Sequence, residues 1–316
     1  MPDQKQLRVF DANMLYLIGA ILFWTIGAHV QIKNFESGLI ITQYIIILLP
    51  PIIYIAVKKL SIKETLKLNR ISLKHSFLIV CITLLIYPVA IFGNTLLMTI
   101  ISFLGNLNIP QLPMATNKNE YIVLLFIISI SAGICEEIFF RGFILSGYER
   151  MGKKKAIIFS AILFGFFHFN IYNLAGPIIL GLVFGYLVLE TDSIFAGMIG
   201  HMVNNGFAVT LGFILNLAMD LLPDMDAVNE TVIDVPTPLA MLSTTVLFGI
   251  ISVVTLSVAY RLIKIIKKDR EDLNPKTHYR YEETDVKKFE FIPLIFTGIL
   301  FIIITIIQIK EIISLG

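Results

Sequence analysis

Between Tyr121 and Arg150 the chain reads YIVLLFIISISAGICEEIFFRGFILSGYER, apolar enough to cross a bilayer yet holding Glu136, Glu137 and Arg141. Inserting an Asp, Lys or Arg at the centre of a membrane helix costs roughly 2.5–3.5 kcal/mol on translocon scales. Three ionisable groups in one span must therefore either neutralise one another or serve a cavity walled by protein. In both cases neighbouring helices have to supply partners, and that requirement organises the reading of the rest of the chain.

Only 15% of the 316 residues are charged and the mean hydropathy is +0.82, against about 25% charged in soluble domains. Repeated apolar runs of span length make this an all-α, polytopic transmembrane helix bundle. Nine segments are predicted, near 12–30, 38–57, 76–104, 121–147, 155–170, 174–190, 194–217, 237–263 and 291–309. Eight would also satisfy the pattern. Lys5 and Arg8 precede the first run, but no A-x-A site follows it, so it reads as a retained helix rather than a cleaved leader. Pro50, Pro51 and Pro88 predict kinks in the second and third spans. Gly181 and Gly185 form a small-xxx-small pattern suited to close packing of the sixth. Cys81 and Cys135 both lie in apolar runs and form no metal or disulfide pattern.

Lys and Arg are unevenly placed. With the N-terminus inside, 21 of them fall in inner segments and three (Lys33, Lys118, Lys310) in outer ones, while Arg141 stays within the membrane. The positive-inside rule then predicts a cytoplasmic N-terminus in a multi-pass cell-membrane protein, with a bacterial plasma membrane suggested by the Ile-, Lys- and Asn-rich composition. A net charge of +2 gives no reason to expect a nucleic-acid partner. The organisation divides into helices one to three (1–120), a catalytic core (121–217) and a C-terminal part (218–316). The first part carries an amphipathic stretch at 61–75, expected at the interface. The last opens on an acidic outer loop, 218–236, containing an Asn229-Glu230-Thr231 triplet, and holds an inner linker at 264–288.

The fifth segment ends in ILFGFFHFN and brings His168; the seventh begins SIFAGMIGHMVNNGF and brings His201, Asn204 and Asn205. Glu137 and Arg141 are spaced i, i+4 and can neutralise each other. Glu136 points about 100° away, and partial desolvation suits it to accept a proton. His201 and Asn205 again share one helix face. At 1.5 Å per residue, Glu136 lies roughly 16 Å from Gly147, His201 about 12 Å from Ser193 and His168 about 20 Å from Lys155. All are near mid-membrane, and His168 fits least well. A lone intramembrane His is more often a satisfied hydrogen-bond partner than a catalyst; two His, an Asn and a spare Glu on adjacent helices favour a site. Phe164 reads as packing that walls the cavity. Gln43 and Asn94 read as helix–helix glue, and His29, His75 and His278 as bland. There is no H-E-x-x-H, mid-span Asp or serine nucleophile motif.

Glu136-Glu137-Ile-Phe-Phe-Arg141 is EExxxR, Phe164-Gly-Phe-Phe-His168 is FxxxH and His201-Met-Val-Asn-Asn205 is HxxxN. In that order, on successive helices, they resemble the CPBP (Abi) intramembrane proteases, which include the CAAX-processing type II prenyl endopeptidases. The resemblance covers about residues 121–217. It implies hydrolysis of a peptide bond within the membrane, with Glu136 and His168 activating water and His201 and Asn205 stabilising the oxyanion. Glu137, Arg141 and Phe164 would be supporting. It also raises a metal: Glu136, His168 and His201 make a three-ligand set of the catalytic zinc type. The metal-free alternative is preferred, because Glu136 cannot easily be both ligand and base.

The partners implied are the bilayer and a peptide or protein substrate, expected to approach from the cytoplasmic side. Pheromone maturation, bacteriocin processing or self-immunity would be family-like roles. Two other functions compete. A proton-coupled transporter also needs intramembrane ionisable groups, but should show a paired broken-helix repeat. A catalytically idle scaffold or immunity protein would bind a partner without cleaving it.

Overall fold

Backbone amides in lipid must find partners within their own segment, so the apolar runs become helices. The computed structural model describes residues 6–110, 113–221, 238–273 and 285–315, and among these there are nine helical rods and no strand. They are α1 (Val9–Lys33), α2 (Phe35–Val57), α3 (Leu73–Ser102), α4 (Lys118–Met151), α5 (Lys153–Phe166), α6 (Ala175–Thr191), α7 (Ile194–Asp220), α8 (Pro238–Leu273) and α9 (Lys288–Ser314). Eight of the nine helical stretches, all but α5, are long and apolar enough to cross a membrane. Ile18, Ile45, Ile100, Ile250 and Ile303 are exposed on five different helices, the pattern of a lipid-facing surface. The protein is a multi-pass membrane helix bundle.

The fifth segment departs from expectation. At 14 residues α5 is about 21 Å long, short of a hydrocarbon core of about 30 Å. It forms a hairpin with α6, pinned at one end by Lys153 Nζ on Glu190 Oε2 at 2.6 Å. Small residues allow the hairpin to close: a Cβ on Gly181 would sit 2.8 Å from the Ala161 Cα. The link between the two helices, residues 167–174, departs from α-helix inside the bundle, with a single 3-10 turn at Ile171–Asn173, and is tolerated where protein supplies its partners. Here α9 and α3 do so. Gln308 accepts from the Ile171 amide at 3.0 Å and donates to the Phe169 carbonyl at 2.8 Å, while Asn94 accepts from the Gly176 amide at 2.6 Å.

One end of the bundle gathers the basic segments. Lys67 pairs with Glu149, Lys153 with Glu190, Asn69 with Asp192, and Lys74 with Asp269. The other end joins Asn108 to Glu311 and Asn216 to the Ala115 carbonyl. The middle of the 61–75 stretch packs into the basic end, while Ile62 and Leu73 stay exposed. Leu66 and Lys67 are each 2% exposed, and a Cβ on Gly142 would come within 2.5 Å of Leu66 Cδ2.

In the C-terminal part, α8 runs ten residues past the predicted end at 263. The acidic loop beyond 221, including Asn229–Thr231, and linker residues 274–284 with His278 lie outside the described residues.

Candidate active site

The Glu pair sits on six residues of α-helix, Ala132–Glu137, between two wider π-type turns, Leu125–Ser131 and Ile138–Ile144. Such insertions re-aim the side chains that follow them and recur at functional sites. Opposite, α7 approaches through glycines. A Cβ on Gly133 would lie 2.5 Å from Met202 Cγ, and one on Gly197 would collide with Glu137 Oε2. That close approach carries the carboxylates of α4 to the imidazole of α7.

Glu137 is fully buried, as is Arg141. Its Oε1 accepts from Arg141 Nη1 at 2.8 Å, as the spacing predicted, and also from His201 Nδ1 at 2.9 Å. Glu137 therefore both neutralises the guanidinium and orients the imidazole. Arg141 Nε and Nη2 have no partner among the described residues; its guanidinium instead lies 4.2 Å from the Phe164 ring centroid and 5.9 Å from that of Phe184, a cation–π sandwich. Phe164 also meets the rings of His168 and His201 edge-on, at 5.1 and 5.7 Å.

Glu136 turns the other way, into a cavity of about 390 Å³. His168, His201, Asn204, Asn205 and Phe164 line the same cavity, so side chains from α4, from α5 with the turn after it, and from α7 converge. His168 is not on a helix as FxxxH suggested; it lies in the turn just after α5, its Nδ1 donating to the Phe164 carbonyl at 2.9 Å. That early termination accounts for its awkward calculated depth. In both histidines Nδ1–H is committed, which leaves Nε2 as the working nitrogen. His201 Nε2 is 3.9 Å from Glu136 Oε2. Asn205 spends one Nδ2 hydrogen on the Ile128 carbonyl at 2.8 Å and receives a hydrogen bond from Asn204 at 3.0 Å. Its second amide hydrogen is left over.

Glu136 is not the unpaired carboxylate the sequence suggested. Gln43 Nε2, from α2, donates to its Oε1 at 2.7 Å. Gln43 and Asn94 both bridge helices, and Asn94 also lines the cavity. A single amide at membrane depth was the available signal, but nothing in the sequence indicated which helix it would face. Gln308 carried the same signal in α9.

The donor set does not close around an ion. Among the described residues no three His, Cys, Asp or Glu side chains gather closely enough to hold a metal, and Glu136 Oε1 is already engaged by Gln43.

Residues 118–207, which run from the start of α4 into α7, match the family model described as Type II CAAX prenyl endopeptidase Rce1-like. The match covers less than a third of the chain but contains all three motifs. It supports a CPBP/CAAX protease family assignment for this stretch, in a bundle of membrane helices. No curated protein and no solved structure matches the chain.

Proposed function

From that family assignment, we propose that the chain is a glutamate-dependent intramembrane endopeptidase and that Glu136 is its general base. The observation that carries the reading is the contrast between the two adjacent carboxylates. Glu137 is consumed by Arg141 and His201, whereas Glu136 lines the cavity together with both imidazoles, its Oε2 3.9 Å from His201 Nε2.

Water held between Glu136 and His168 gives one proton to Glu136 Oε2 and donates its other hydrogen to His168 Nε2, an acceptor because Nδ1 carries the ring proton. The resulting hydroxide adds to the peptide carbonyl carbon. Asn205, through its remaining amide hydrogen, and His201, through Nε2, stabilise the oxyanion. His201 can do so only with both nitrogens protonated, and Glu136, Glu137, Arg141 and His201 balance in charge when it is. One preorganised oxyanion donor is worth about 2.7–4 kcal/mol. Glu136 then returns its proton to the leaving amine as the C–N bond breaks. Glu137 and Arg141 act as positioning residues. The basic end of the bundle is proposed as the cytoplasmic face, and pheromone- or bacteriocin-type peptides as the substrate class.

The test is cleavage profiling of membrane peptides by purified wild type and Glu136→Gln. Loss of cleavage by a folded variant is expected; wild-type rates in Glu136→Gln would sink the assignment.

A further inference from the structure

The cavity is asymmetric about the Glu136 cluster. Towards the basic end it stops at a floor: the Arg141 guanidinium between the Phe164 and Phe184 rings, with Phe139 and Phe140 fully buried alongside. No described residue of the 61–72 plug or of the α4–α5 and α6–α7 turns lines it. In the opposite direction it continues along α7 through Val209 to Gly212, eleven residues past His201 and so about 16 Å further. There Met114, half exposed, closes on Gly212, and Ala115 is tied to Asn216. Met114 and Ala115 belong to the segment between α3 and α4, at the end of the bundle that carries few Lys and Arg.

The walls of this arm are uncharged. Tyr87, Ile91, Leu124, Ile128 and Val209 provide apolar surface, and Asn94, Asn173 and Asn204 provide amides. Asn204 Oδ1 has no hydrogen-bond partner among the described residues, which makes it an acceptor for a backbone N–H. Among the described residues, no ionisable side chain lines the cavity beyond Glu136, the two imidazoles and Tyr87. Such a slot suits a neutral, extended peptide whose apolar side chains pack on the walls while its backbone meets the amides. A charged side chain there would find no counter-ion.

We propose that the substrate is an uncharged, apolar peptide segment that reaches Glu136 from the Lys/Arg-poor end. This rests on the peptidase reading and reverses the expectation of a cytoplasmic approach. With the basic loops inside, scissile bonds would be presented from the far side of the membrane, as they are in a peptide already inserted or exported.

Accessibility tests this without requiring activity. Single Val209→Cys, Met114→Cys and Lys154→Cys variants are treated with a membrane-impermeant maleimide, in intact cells and in inverted vesicles. The unsubstituted protein measures background at Cys81 and Cys135. Val209→Cys and Met114→Cys are expected to label from the side opposite to Lys154→Cys and to lose labelling when the reagent is confined to the Lys154 side. Labelling of Val209→Cys from the Lys154 side, or only by a permeant reagent, would overturn the proposal. Peptidase failure reads out separately, as retained cleavage by Glu136→Gln.

Discussion

From Phe139 to Glu149 every residue of α4 is buried, whereas between Tyr121 and Ile130 the same helix exposes Ile122, Val123, Phe126 and Ile130. The half that carries the charges Arg141 and Glu149 is the enclosed one, and the wholly uncharged half is the exposed one. The inner half is ringed by α1, α5 and the 61–72 plug, with Tyr148 donating to Asn13 Oδ1 at 2.5 Å and Ser146 to the Thr65 carbonyl at 2.8 Å. The outer half touches α7 on one side and the cavity on another. Glu136 and Glu137 straddle the boundary. The lesson is that a tightly enclosed half-helix fixes the direction of one carboxylate, so that its neighbour can face a hollow without being drawn onto Arg141.

That contrast predicts separable mutants. Glu136→Gln should lower the cleavage rate by roughly 10²–10⁴-fold, the usual range for a lost general base, with an unchanged unfolding midpoint in detergent. Equal losses of rate and stability would erase the distinction between the halves. Glu137→Gln should cost about 3–5 kcal/mol of stability, because Arg141 is left as an uncompensated buried charge; thermal denaturation measures it. Activity should fall as well, through the loss of the His201 anchor. Gln308→Leu leaves the Ile171 amide and Phe169 carbonyl unsatisfied and should cost about 1–3 kcal/mol. Its effect should extend to the cleavage rate, since His168 hangs from that turn. Gln43→Leu removes one charge-assisted hydrogen bond, worth about 1.5–3 kcal/mol at most. It should show as a modest fall in the unfolding midpoint, with a smaller loss of cleavage rate than Glu136→Gln. Chelator treatment is expected to change neither rate nor stability, and a chelator-sensitive rate restored by added zinc would contradict the metal-free mechanism.

Much of the architecture was legible because the bilayer imposes a simple rule: a run of about 20 apolar residues becomes a spanning helix. The segments came out near their observed places for that reason, and the order of the three motifs pointed to α4, the α5–α6 hairpin and α7. Hydropathy could not show that α5 stops half-way. Its sequence is apolar through Phe169, and the break holds only because Gln308 and Asn94, distant in sequence, satisfy the freed backbone. Gln43 escaped for a similar reason, as the π-type stretch Thr42–Leu48 shifts the helical phase by which its direction would be judged. Within the 61–75 stretch the burial of Lys67 depends on Glu149, which no local pattern announces.

The sequence by itself determined that the chain carries repeated apolar helices of span length and that a Glu, two His and an Asn fall on or beside them in motif order, since length, hydropathy and spacing act along one chain. Only the tertiary structure decided that Gln43 holds one oxygen of Glu136, where α5 breaks and which end of the cavity is closed. Each of these depends on a partner supplied from a distant helix, and such pairings are fixed when the helices pack.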